Sequence, residues 1–186
     1  MNATNDLKRD HLIVRRIGTI TQKCSDILFS DKSMPLIDIE ILSVVIQEFV
    51  DKFHHGKEEK AYFPQTKDKD DYAEDIRKFL IEHELGRRIA NMLLQSIIDW
   101  KSGIDSREPV ARFLKAYSIF IKDHTEKEDK FFDLIEERLS LSEGEHTILK
   151  EHFERCRMEV GGKVRTDQMV KLIEYLEERE WMKKLM

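Results

Sequence analysis

The sequence predicts an all-α protein: an up-down-up-down four-helix bundle with one or two additional C-terminal helices. Three observations carry this expectation. Gly (7) and Pro (3) are scarce in a chain of 186 residues, so few positions favour turns. Apolar residues recur at helical spacing over long stretches, with charged residues between them. A short motif, His-x-x-Lys-Glu-acid-Lys, occurs twice, at 54–60 (HHGKEEK) and at 124–130 (HTEKEDK). Each copy sets a His and a Glu four residues apart, on the same helix face.

The first helix is expected from near Asn5 to about Phe29, with Leu7, His11, Val14, Ile17, Ile20 and Cys24 on one face. Residues 30–33 form a polar break. Pro35 suits the first turn of a second helix, where its missing N–H costs nothing. That helix carries Ile39, Leu42, Phe49, His54 and Glu58, and Pro64 is expected to end it. After a charged linker at 65–70, a third helix carries Ile76, Phe79, His83, Gly86, Ala90 and Leu93 and closes near Gly103. Ser106 with Glu108 and Pro109 opens a fourth, which runs through Tyr117, His124 and Glu128 to about Leu139. Short connections between four long helices give the up-down-up-down order. Ser142-x-x-Glu145 is a capping box for a fifth helix ending at Gly161-Gly162, and a sixth is expected from Thr166 to about Lys183. The division is thus 1–140 for the bundle and 141–186 for a helical extension, which packs on the bundle or, as in a homodimer, on a second copy.

Composition closes off several functions. Charged residues make up 37% of the chain, against roughly 25% in ordinary soluble domains. The net charge is −5 with both signs interspersed, so there is no basic footprint for nucleic acid. Cys24 and Cys156 are too few for a disulfide framework or a thiolate metal site and read as small buried residues. The first residues lack the apolar core of a secretory signal, and the longest uncharged stretch, 89–98, is too short to span a bilayer. A cytoplasmic protein without membrane or nucleic-acid partners is expected.

The histidines carry the chemistry. His11 precedes His54 by 43 residues and His83 precedes His124 by 41, so two similar halves each supply a lone His and a His-x-x-x-Glu pair. Antiparallel packing brings the four imidazoles to within a turn or two of one level. Buried imidazoles and carboxylates without partners cost several kcal/mol, and a pair of metal ions would compensate them. In that arrangement the imidazoles coordinate terminally while Glu58 and Glu128 each bridge both ions. Nitrogen and oxygen donors without sulfur suit iron, manganese or zinc. Such a set leaves at least one coordination position open to a small molecule.

Two registers compete in the first motif, since His55 and Glu59 are also four apart. Neighbours on an α-helix differ by about 100°, so only one pair can face the core. The second motif has Thr at 125, which favours His54 with Glu58 and leaves His55 in a supporting or surface position. Asp129 remains an alternative to Glu128. Lys57, Lys60, Lys127 and Lys130 read as solvated, Gly86 as a point of close helix approach, and Arg87 as reaching solvent or neutralising a nearby carboxylate. Tyr117 reads as core, with a hydrogen bond toward His124 as the alternative.

Asp10-His11, His54 to Glu59, Glu82 to Arg87 and His124 to Glu128 together resemble the hemerythrin-like (HHE cation-binding) family, over about residues 5–140. The resemblance implies a helical bundle around a non-haem di-iron centre, with iron ligands at His11, His54, Glu58, His83, His124 and Glu128. It implies two iron ions (Fe2+/Fe3+) joined by an oxo or hydroxo bridge, with zinc or manganese as substitutes. Oxygen-carrying members have a His-x-x-x-His pair on the third helix, whereas here Phe79 and Arg87 flank His83. The four-His, two-Glu set is more similar to the branch linked to iron–sulfur repair and nitric-oxide chemistry. The expected function is binding or sensing of a diatomic such as oxygen or nitric oxide. The alternatives are an enzyme acting on nitric oxide or peroxide, or repairing iron–sulfur centres, and a metal-free helical interaction protein.

Overall fold

The computed structural model of the protein describes residues 2–30 and 32–183. Helix α1 (Ala3–Phe29) opens on Asn2, whose side chain accepts from the Asn5 N–H, so it starts two residues before the expected position. Position 31 of the polar break lies outside the described residues. The second helix is a continuous rod over 36–66, but only part of it is α-helical. It begins as α2 (Leu36–Val45), widens into a π-helix, π1 (Ile46–His55), widens again in π2 (Glu58–Tyr62), and ends as α3 (Phe63–Thr66). Pro64 therefore does not stop the helix. It falls in the first turn of α3, where the Phe63 N–H already bonds back to Glu58 O and a missing N–H is tolerated.

Asp70 and Asp71, both with positive φ, turn the chain into α4 (Ala73–Lys101). Gly103 (φ 94°) then leads to α5 (Arg107–Glu137). The capping box forms as expected: the Ser142 side chain and Glu145 exchange hydrogen bonds at the start of α6 (Glu143–Glu159). Gly161 and Gly162, at φ 104° and 74°, reverse the chain within two residues. Helix α7 (Gly162–Glu177) consequently starts four residues before the expected Thr166, and α8 (Glu180–Lys183) follows as a separate turn.

Contacts along α1 and α5 run in opposite senses, from His11 with Asp129, through Gln22 with Ser118, to Ser25 with the Ala111 carbonyl. The α4 and α5 contacts also run oppositely, from Phe79 with Phe131 to Glu82 with His124. Each long helix crosses two apolar clusters. One gathers Val14, Ile17, Phe49, Phe53, Ala90, Leu93, Tyr117 and Ile121. The other gathers Leu7, Ala61, Tyr62, Phe79, Phe131 and Phe132. Between them lies a layer of buried polar residues, and it holds every predicted ligand.

The C-terminal helices complete the core. Met169, Ile173 and Leu176 of α7 join the first cluster, and Leu149 and Phe153 of α6 join the second. Arg179 Nε and Trp181 Nε1 donate to the buried Asp38 carboxylate at 2.9 and 2.8 Å. Cys24 and Cys156 are both buried and unpaired. No helix among the described residues is long and apolar enough to cross a membrane.

Candidate metal centre

The polar layer is built from side chains that no soluble core would retain without a purpose. His11, His54, Glu58, His83, His124 and Glu128 are all buried, at 0–1% exposure. His55 joins them at 2%, so of the expected supporting or surface positions the surface one is ruled out. The reason is local backbone geometry. The α-helical step of about 100° forbids adjacent residues from sharing a face. A π-helix closes each turn one residue later, so successive side chains are separated by roughly 80–85° on a wider circumference. His54 and His55 close π1, and both imidazoles reach inward.

Two groups of donors result. His55, His83 and His124 form one, and His11, His54, Glu58 and Glu128 the other, each with donor atoms within 4.8 Å of one another. The glutamates touch both groups. Glu58 Oε1 lies 3.4 Å from His54 Nε2 and 3.7 Å from His11 Nε2, while its Oε2 lies 3.4 Å from His83 Nε2. Glu128 Oε2 lies 3.3 Å from His11 Nε2 and 3.2 Å from His124 Nε2, and its Oε1 lies 3.3 Å from His83 Nε2. Donors about 2.0–2.1 Å from a shared tetrahedral ion stand roughly 3.4 Å apart, so these spacings suit a metal.

The outer ring nitrogens face carboxylates. His11 Nδ1–H donates to Asp129 at 2.7 Å, His83 Nδ1–H to Glu59 at 2.8 Å and His124 Nδ1–H to Glu82 at 2.8 Å. Asp10 stands 3.5 Å from His54 Nδ1, and Asp51 stands 3.7 Å from His55 Nδ1. A carboxylate on Nδ1 fixes the tautomer and turns the Nε2 lone pair inward, as metal-binding histidines require. None of these five carboxylates was singled out in this role from the sequence. Asp129, weighed as a ligand, instead orients His11.

Cations surround the carboxylates. Arg15 pairs with Asp129, Lys127 with Glu82 at 2.8 Å, and Arg87 with both Asp51 and Glu59. Lys57 departs furthest from its expected solvated position, since it is fully buried. Its ammonium donates to Asp10 at 2.6 Å and lies over the Phe53 and Phe153 rings at 4.8 and 4.9 Å. Phe153 belongs to α6, so the extension helps enclose a charge that supports the site. Phenylalanines line the imidazoles themselves: Phe132 stacks on His11, Phe63 on His83 and Phe120 on His124. Gly86 is a point of close approach as expected, because a Cβ there would stand 2.5 Å from Phe120 Cε1. Tyr117 is buried in the apolar cluster and packs on Phe120.

Without a metal the charges compensate one another. Burial opposes a proton on His83, but Glu128 and Glu59 outweigh it and lift the pKa to about 10. Burial likewise opposes the proton on His11, and Asp129, Glu128 and Glu58 raise its pKa well above the usual imidazole value. Burial also works against the Glu128 anion, yet His124, His11 and His83 hold it well below the carboxylate range. His55 goes the other way: burial, then the neighbouring histidines, push it far down, so it stays neutral.

This compensation is incomplete. Among the described residues, nine of the ten buried side-chain nitrogens and oxygens without a hydrogen-bond partner belong to His11, His54, His55, Glu58, His124 and Glu128. Orphaned atoms of this kind are rare and individually costly. Seven of the nine, all but Nδ1 of His54 and of His55, face the interior of the layer, and as nitrogen and oxygen donors they fit divalent metal ions.

Comparison with known families agrees. The model of the hemerythrin HHE cation binding domain matches residues 2–135, from the start of α1 almost to the end of α5. Comparisons with curated proteins and with solved structures return no significant match. The family match spans most of the chain and all the residues of the polar layer, and on this ground the chain belongs to the hemerythrin HHE cation-binding family.

Proposed function

We propose that the protein holds two iron ions in this layer and binds or senses a small molecule, such as oxygen or nitric oxide, at a position the protein leaves open. The observation that carries the reading is the convergence of seven orphaned atoms, Nε2 of His11, His54, His55 and His124 with three carboxylate oxygens of Glu58 and Glu128, on one buried layer. His55, His83 and His124 would hold one ion, His11 and His54 the other, with Glu58 and Glu128 spanning both. Bound there, iron supplies one-electron redox chemistry and a Lewis-acidic position that a small ligand can take.

The chain's own residues do the rest. Asp129, Glu59 and Glu82 hold protons at the outer ring nitrogens and keep the imidazoles aimed. Phe63, Phe120 and Phe132 exclude water from the imidazole faces, which favours a small uncharged guest over an ion. The side of His11 and His54 offers one imidazole fewer, so an ion held there would keep room for a small ligand. The contact senses between helices support the reading of an up-down-up-down bundle, with α6 and α7 as an extension packed on it.

The test is anaerobic loading with Fe2+, followed by exposure to nitric oxide and, separately, oxygen. Two equivalents of iron and new, long-lived ligand-to-iron absorption are expected. Unchanged spectra with both gases would contradict the reading, and consumption of many equivalents of either would make the protein an enzyme.

A further inference from the structure

The imidazoles of the metal centre are not all held in the same way. Asp10, Glu82 and Asp129 each face one imidazole, and the cations on them are Lys57, Lys127 and Arg15 in turn. Asp51 and Glu59 share theirs. Arg87 Nε donates to Asp51 Oδ1 at 2.8 Å, and Arg87 Nη2 donates to Glu59 Oε1. The same two oxygens face the three-histidine group: Glu59 Oε1 accepts from His83 Nδ1 at 2.8 Å, and Asp51 Oδ1 lies 3.7 Å from His55 Nδ1. His55 and His83 are themselves stacked, with centroids 3.9 Å apart.

We propose that Arg87 is the positioning residue of the three-histidine subsite. Through Glu59 the guanidinium orients His83, on which His55 stacks, and through Asp51 it fixes the charge beside His55; it thereby controls metal affinity at His55, His83 and His124 but not at His11 and His54. The part of this that concerns metal rests on the di-metal reading above. The part that concerns the rings does not.

The covalent arrangement explains why one side chain suffices. Arg87 is one helical turn from His83 on α4, and Asp51 is one turn from His55 on π1, so the guanidinium ties the ligand-bearing turns of two helices at one point. Its planar fork can direct separate N–H groups to two carboxylates at once, whereas a lysine ammonium is a compact charge on a flexible stem. Asp51 and Glu59 have side chains 31% and 26% exposed. Deprived of Arg87 they can turn to water; His83 then loses its Glu59 acceptor, and His55, stacked on His83, shifts with it. Removing such an outer partner costs roughly 10–100-fold in metal affinity.

The test uses R87Q, R87K and R15Q in the full chain, with two readouts. The first needs no metal: ring 15N–1H correlations of the histidines in the metal-free protein. R87Q should move His55 and His83 and leave His11 in place, while R15Q should move His11. Unmoved His55 and His83 in R87Q, or an equal movement of His11, overturns the proposal. The second is anaerobic titration with Co2+. Wild type should take two equivalents, and R87Q should keep one tight and weaken the other about 10-fold or more. R87K should resemble R87Q. Two unweakened equivalents in R87Q, equal weakening of both, or full rescue by R87K would overturn it. A wild-type protein that takes up no Co2+ refutes the di-metal reading instead, and the ring signals then decide the role of Arg87 on their own.

Discussion

His55 stacks on His83 with ring centroids 3.9 Å apart and an interplanar angle of 14°, although the two residues come from different helices. The contact exists because π1 ends at His55 and turns it inward beside His54. It gives the centre a fifth imidazole from the second helix, where α4 has Arg87 one turn beyond His83.

This contact sets up a trade between stability and binding. His55 leaves both ring nitrogens without partners in a fully buried position. Replacing an unsatisfied polar group with an apolar one of similar shape is nearly neutral or stabilising. The metal-free His55→Leu variant should therefore melt no lower than the metal-free wild type, while its capacity for tight metal falls from two ions to one. Thermal melts of both metal-free proteins, paired with a metal titration, check the two halves of this expectation.

Metal uptake should release protons. His83 keeps its proton up to about pH 10 in the metal-free protein, and His11 is raised in the same direction. A metal takes only the neutral imidazole, so loading at pH 7 should expel at least one proton per chain and weaken as pH falls. The sign for stability is also fixed. A raised histidine pKa stabilises the metal-free fold fully below the unfolded value of about 6.5, and this contribution is lost as pH rises through about 10. Indicator-dye titration in weak buffer measures the protons directly, and a pH-independent affinity would refute the assignment.

Lys57 should be among the costliest surface-type residues to remove. Its ammonium is buried against Asp10, with Asp6 3.1 Å away. Lys57→Met strands the Asp10 carboxylate, and breaking a buried pair in this way costs about 3–5 kcal/mol. For a chain of this size that is a fall in Tm of roughly 6–20 °C. Combining it with Asp10→Asn should recover part of the loss, and a scanning-calorimetry cycle of the four proteins would show it.

Much of this was legible in the sequence, and the misses share a cause. The helical periodicity, the capping box at Ser142 and the spacing of the His and Glu residues all depend on local geometry, which sequence position encodes. The structure brings together the six residues that the spacing selected. A surface position for His55 follows only from an α-helical step, and nothing in HHGKEEK announces a π-helix. Lys57 reads as solvated from the sequence because its burial depends on Phe153, nearly a hundred positions away, in a helix whose docking face local pattern does not encode. The orienting carboxylates were hidden among the many acids of solvated helix faces, and only the fold distinguishes Glu82 or Asp51 from their neighbours.

Gly86 tests the packing around the centre. A methyl group there would meet Phe120 Cε1 at 2.5 Å and Cζ at 2.7 Å, and Phe120 stacks on His124 with centroids 5.2 Å apart. Alanine favours the helix, yet overpacking of this kind costs about 1–3 kcal/mol. Gly86→Ala should be less stable than wild type and should shift the His124 ring signals. A more stable variant with unmoved His124 would show that Phe120 yields freely.

The most direct measurement of the central claim is a crystal structure of the iron-loaded protein with anomalous data at the iron edge. Two peaks are expected between Glu58 and Glu128, one beside His55, His83 and His124 and the other beside His11 and His54. No peak in the layer, or a single peak with His55 turned away from it, would contradict the account.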